Sequence, residues 1–110
     1  MIIRIVTFTL ADIGRDDYLR HAAAVADGFT EWEGLIAKIW LDDASTGTYG
    51  GVYLFEDRFA ADASRTTALF NGMASNPHFA ELRVREFEAI DRLTAVTAAE
   101  LLASTTNAAA

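Results

Sequence analysis

Gly34-Leu35-Ile36-Ala37-Lys38-Ile39-Trp40-Leu41-Asp42-Asp43, then Ala44-Ser45-Thr46-Gly47-Thr48, then Tyr49-Gly50-Gly51-Val52-Tyr53-Leu54-Phe55-Glu56-Asp57, is the stretch that decides the layout of this chain. Two β-branched and aromatic runs flank a short polar segment with one glycine, which is the sequence form of a β-hairpin. Thr46 and Gly47 lie near its tip, where glycine takes a positive φ at no steric cost. On each side the chain offers a helix-like stretch and then a strand-like one. The hairpin therefore reads as the centre of a β-α-β-β-α-β unit, an α+β fold with a four-stranded antiparallel sheet.

Upstream, Ile2 to Thr9 alternates Ile2, Arg4, Val6 and Phe8 with Ile3, Ile5, Thr7 and Thr9. Both sets carry bulky apolar groups, as in a central strand covered on both faces. Asp12 to Gly14 breaks the pattern, and Asp16 and Asp17 suit a helix N-terminus. Tyr18, Ala22, Val25 and Phe29 make one apolar helical stripe, with His21 one position off it as a flank residue. In the hairpin, Leu35, Ala37, Ile39 and Leu41 form an apolar side, while Ile36, Lys38, Trp40 and Asp42 form a mixed one. A slip of one residue inverts the facing of a whole strand, so the sequence leaves open which side meets the core. Gly50-Gly51 marks a bulge or the close approach of another backbone or a ligand.

Downstream, Asp57 is placed to cap a helix running from Arg58 to about Met73, with Phe59, Ala63, Thr66, Phe70 and Met73 toward the core. Its middle is weak, because alanine and threonine bury little apolar area. Pro77 holds Asn76 out of helical geometry. The last strand spans Leu82 to Ile90, with Leu82, Val84, Glu86, Glu88 and Ile90 on one side and Arg83, Arg85, Phe87 and Ala89 on the other. Ala98 to Ala103 reads as a terminal helical turn or two. Residues 1–103 thus form one domain and 104–110 a frayed tail.

Composition agrees with one compact domain: 110 residues, 52% hydrophobic, one proline. A formal charge of -7 repels phosphate backbones, so nucleic acid is not an expected partner. No apolar run approaches the roughly 18 residues of a membrane span. Met1-Ile2-Ile3-Arg4-Ile5-Val6 reads as a strand rather than a leader, and a cytoplasmic location is the expectation. Zero cysteines exclude thiolate metal sites, two histidines make a poor metal centre, and there is no Gly-x-Gly-x-x-Gly loop for a dinucleotide. No cofactor is expected on these grounds. Because two helices cover only one face of a sheet whose first three strands are apolar on both, a second copy of the chain is the simplest cover for the other face.

Lys38-Ile39-Trp40, Gly50-Gly51-Val52-Tyr53-Leu54-Phe55 and Glu81-Leu82-Arg83-Val84-Arg85-Glu86-Phe87 resemble the YdhR-like monooxygenases of the dimeric α/β-barrel superfamily, over about residues 2 to 95. The resemblance implies a ferredoxin-like protomer whose sheet packs on another's in a homodimer. It also implies oxygenase chemistry on electron-rich aromatic polycycles or quinols, using O2 with no metal, flavin or haem. The alternative on the same scaffold is a non-redox lyase or isomerase, or a small-ligand-binding protein.

For a cofactor-free oxygenase the substrate supplies the electrons once deprotonated, so the protein needs an aromatic cavity with a few polar groups. Candidates for the walls are Trp40, Tyr53, Phe70 and Phe79. The polar candidates are Lys38, Asn71, Arg83 and His78, and His78 is the expected base because its ordinary pKa of about 6.5 lies near neutrality. The space is expected between the helices and the sheet, with Trp40 or Tyr53 lining it according to register.

Overall fold

The computed structural model describes residues 1–102. The expected tail, 104–110, lies outside the described residues. Strand β1 (Ile2–Leu10) leads to α1 (Arg15–Phe29), the hairpin β2 (Leu35–Asp43) and β3 (Thr48–Phe55), helices α2 (Arg58–Ser64) and α3 (Ala68–Ser75), strand β4 (Phe79–Glu88) and α4 (Asp91–Thr97). A further helical turn occupies residues 99–102. The strands lie in the order β2-β3-β1-β4, every neighbouring pair antiparallel. This is the ferredoxin-like arrangement the alternating patterns imply, with β1 and β3 in the middle.

Register settles the facing of each side chain. Arg4 pairs with Tyr53 and Glu86, and Val6 with Gly51 and Val84. Lys38 pairs with Tyr53 and Trp40 with Gly51. The inner face, toward the helices, thus carries Ile2, Arg4, Val6 and Phe8 with Tyr49, Gly51, Tyr53 and Phe55. On β2 it is the mixed set, Lys38, Trp40 and Asp42, that points inward. The apolar set Ala37, Ile39 and Leu41 lies on the outer face beside Leu54, Val52 and Gly50. Gly50 has no room for a side chain, since a Cβ there would stand 1.8 Å from the Val6 carbonyl oxygen.

Two bulges adjust this pattern. The β2–β3 pairing slips between Leu35 and Ala37, which turns Leu35 inward opposite Phe55. In β4 the pairing runs Thr7 with Arg83 but Thr9 with Ala80, and Glu81 takes a positive φ of 54°. Without that extra residue Phe79 would share the outward parity of Arg83, Arg85 and Phe87. With it, Phe79 sits opposite Leu10 and stacks on Phe8 at 4.2 Å.

The single helix expected from Arg58 to Met73 is two helices. Arg65, Thr66 and Thr67 donate their N–H groups to carbonyls three residues back, closing α2 with tight turns, and the Thr67 hydroxyl then caps α3 by accepting from Phe70 N. The Ala61 carbonyl accepts instead from Arg4 Nη2 at 2.8 Å and from Ser64 Oγ at 2.6 Å. The break resets the helical phase. Phe59, Ala63 and Thr66, expected inside, are exposed, Phe59 to 81%, and Ala60, Ala61 and Ser64 are buried in their place, while Phe70 is buried as expected.

Arg4 is the hub of this end of the core. It is fully buried, donates to Glu86 Oε2 at 2.7 Å and Ser64 Oγ at 2.8 Å, and lies 4.7 Å from the Phe55 ring and 5.2 Å from the Phe70 ring. Glu86 also accepts from Arg58 at 2.6 Å and Arg65 at 2.9 Å. Burial alone would raise the Glu86 pKa, but the three arginine hydrogen bonds together bring it down to about 2. Among the described residues no helix is long and apolar enough to cross a membrane.

Candidate functional site

A cavity of about 240 Å³ lies between the inner face of the sheet and helices α1 and α3. Its floor is Val6 and Phe8 of β1, Lys38 and Trp40 of β2, and Gly50, Gly51 and Tyr53 of β3. α1 contributes Tyr18, His21, Ala22, Val25 and Phe29, α3 contributes Ala68, Leu69, Gly72 and Met73, and Phe79 closes the β4 side. The space exists because the α2–α3 break presents small residues, Ala68 and Gly72, to a floor whose centre is glycine. Gly51 also leaves passage for its neighbour: a Cβ there would stand 2.9 Å from Lys38 Cε.

Lys38 is the most unusual member of the wall. The chain's basic residues are eight arginines and this one lysine. Its Nζ lies 3.5 Å from the centroid of the Phe29 ring, 3.5 Å from that of Trp40 and 4.7 Å from that of Tyr53. Among the described residues no carboxylate lines the cavity, and desolvation lowers the Lys38 pKa from 10.5 to about 7. The ring faces attract the cation and oppose that loss of water, so the amine exchanges between charged and neutral forms near neutrality. Burial also raises the phenol pKa values of Tyr18, to about 12, and of Tyr53. Both phenols therefore stay protonated and are potential donors. The Tyr53 hydroxyl lies 4.0 Å from the Met73 sulfur.

Of the residues singled out in the sequence, Lys38, Trp40, Tyr53 and Phe79 meet in this wall. Trp40 and Tyr53 line it together, because β2 and β3 pair in the register that turns both inward. The other four are not wall residues. Phe70 is buried against Arg4, and the exposed Asn71 donates its amide to the Thr67 carbonyl at 3.0 Å. Arg83 lies opposite Thr7 on the outer face. The His78 Nδ1 is 2.9 Å from the Ala11 carbonyl oxygen, holding the β1–α1 turn. His21, a flank residue by its sequence pattern, is a wall residue as well, its ring 5.9 Å from Phe79 at the cavity edge. Its place one step from the α1 stripe was the available signal. No group of three or more metal-binding side chains occurs among the described residues.

An α+β protomer of this strand order, hollow between sheet and helices, is of the ferredoxin-like class used by the antibiotic biosynthesis monooxygenases. The family model described as "Putative mono-oxygenase ydhR" matches residues 3–100, and the chain belongs to that family. No curated protein sequence matches it. Among solved structures it resembles an antibiotic biosynthesis monooxygenase (TM-score 0.68, 18% identity, covering 82% of this chain and 99% of that one). It also resembles a mutant of SnoaB, a cofactor-independent oxygenase from Streptomyces nogalater (TM-score 0.67, 15% identity, 81% and 92%). A mutant of MhuD with two manganese protoporphyrin IX molecules per active site is similar as well (TM-score 0.65, 17% identity, 82% and 95%). At these identities the likeness is one of fold alone, and the support for a general monooxygenase role comes from the family.

Proposed function

We propose that this protein is a cofactor-independent monooxygenase that oxidises a small polycyclic phenol, anthrone or quinol with O2 inside the cavity floored by Lys38, Trp40 and Tyr53. The observation that carries this reading is the pairing of aromatic walls with a desolvated amine. An electron-rich aromatic stacks on such walls, and a neutral amine accepts the proton that makes it a reductant. The volume, about 240 Å³, falls below the roughly 300 to 1,000 Å³ of drug-sized sites, which favours a compact ring system. A porphyrin would require these walls to move.

For a benzylic methylene substrate, Lys38 takes one C–H proton, the carbanion adds to O2, and the resulting peroxide anion takes that proton back from Lys38 to become a hydroperoxide. Neutral again, Lys38 takes the second C–H proton as the O–O bond breaks, which leaves a carbonyl and a hydroxide. The hydroxide takes this proton from Lys38 and leaves as water. One oxygen atom enters the product, the other becomes water, and all four electrons come from the substrate. The phenols of Tyr18 and Tyr53 donate to the oxygen on which negative charge gathers. His21 stands at the rim. In this reading His78 serves through its hold on the Ala11 turn rather than as the base, and Phe70, Asn71 and Arg83 lie behind or outside the wall.

The same reading includes a homodimer, in which a second copy covers the outer face of the sheet. Supporting it are Ile39, 56% exposed, and Phe87, 42% exposed, on a face with Ile3, Ile5 and Val52. Oxygen uptake by purified protein with a panel of naphthols, anthrones and quinols tests the function. Substrate-dependent uptake above a boiled control, lost in Lys38→Met, is expected. Conversion of a substrate with no uptake would instead identify a lyase or isomerase, and the absence of any conversion or uptake across the panel would sink the oxygenase.

A further inference from the structure

We infer that Lys38 is a covalent capture site for carbonyl compounds, forming an imine with a small aromatic aldehyde or ketone bound in the cavity. This goes beyond the oxygenase reading and does not depend on it. Imine formation needs a primary amine that is neutral, desolvated and able to reach a carbonyl carbon, and the chain has one side chain of that kind. Its other basic residues are arginines, which remain cations. A lysine kept for an ion pair would face a carboxylate, yet none lines the cavity among the described residues. Lys38 instead ends among three ring faces, 3.5 to 4.7 Å from their centroids, and it is not a sealed atom: no unpartnered side-chain nitrogen is fully buried among the described residues.

The cavity of about 240 Å³ that these rings line has room for a small aryl group beside the amine, and its apolar walls, by excluding water, slow hydrolysis of the imine once formed. With its pKa near 7, Lys38 presents a neutral fraction at neutral pH about 10³-fold above that of an ordinary lysine. The groups facing it are His21 and Tyr18 from α1, Tyr53 from β3 and the rings of Phe29 and Trp40. None carries a negative charge near neutrality that would hold the ammonium form. Chemically, the amine nitrogen adds to the carbonyl carbon to give a carbinolamine. The carbonyl oxygen then leaves as water, taking one proton from the amine and one from a donor such as the Tyr53 phenol, which regains it from the nitrogen.

The test uses the intact protein with 2-naphthaldehyde and sodium cyanoborohydride, whose hydride fixes the imine as a secondary amine, followed by peptide mapping by mass spectrometry. One adduct on the Lys38 peptide is expected, forming at least about tenfold faster in the folded chain than in urea at the same pH. Lys38→Arg, checked for folding by circular dichroism, should show no adduct there. The other amine, the Met1 N-terminus, lies 3.6 Å from Asp91 and maps to a different peptide. Adduct at Met1 alone, or labelling of Lys38 no faster folded than unfolded, would overturn the inference. Oxygen uptake is not read in this experiment, so a negative result leaves the oxygenase reading standing, and labelling without any oxygenase activity leaves this site standing.

Discussion

Lys38 costs stability for its place in the cavity wall, and pH exposes that cost. Its pKa is lowered by burial to about 7, so between pH 7 and its ordinary value the unfolded chain holds more protons than the folded one. Its contribution to stability is complete above the unfolded pKa and is lost as pH falls through the folded pKa. Lys38→Met should therefore be more stable than the parent at about pH 6, by roughly 1 to 3 kcal/mol, with the gap narrowing at about pH 9. Urea denaturation at both pH values measures this, and an equal difference at both would refute the desolvated amine. Turnover, if Lys38 is the base, should rise with pH through about 7. Trp40→Ala removes a cavity wall on the inner face and should lower turnover by roughly tenfold or more while leaving self-association unchanged in sedimentation.

The α2–α3 break is an element held by one residue from another strand. Arg4 takes the Ala61 carbonyl and the Ser64 hydroxyl while Glu86 balances its charge. Removing the carboxylate leaves the guanidinium buried and uncompensated, so Glu86→Gln should destabilise the fold by about 3 kcal/mol. Hydrogen exchange should then quicken first at the backbone amides of α2 and the start of α3. The Glu86 pKa of about 2 gives the matching acid behaviour in the parent. Its stabilisation is intact above the ordinary carboxylate pKa and is lost as pH falls toward 2. A parent whose stability stays flat across that window would show that the arginine cluster does not hold the break.

At the scale of the whole molecule, the two faces of the sheet divide the work. The inner face and its helices enclose the cavity, while the outer face presents Ile39 and Phe87. If a second copy covers it, sedimentation at micromolar concentration should give a dimer, and Ile39→Asp should shift it to monomer by placing a carboxylate in the apolar contact. Because Ile39 and Lys38 point to opposite faces, aldehyde labelling of Lys38 should survive that substitution. A parent that sediments as a monomer would leave the outer face unexplained.

The sequence by itself determined the order of the elements, the hairpin, the α1 stripe and the two-sided β1, because each depends on a period or a turn residue read locally. Asp57 capping the next helix, with its side chain 2.8 Å from Ala60 N, was legible in the same way. Lys38, Trp40, Tyr53 and Phe79 were legible as candidates but not as one wall. Their meeting required the β2–β3 register and the bulge at Glu81, each a matter of one residue, and one residue inverts the facing of a strand. Pattern alone left open whether the wholly apolar side of β2 or the side with Lys38 meets the core. The α2–α3 break was equally invisible, because what holds it is a guanidinium that lies 57 residues away in sequence and reaches the Ala61 carbonyl only through the packed core. Tertiary structure therefore decided which polar groups are buried together, and with that the desolvation that changes the chemistry of Lys38.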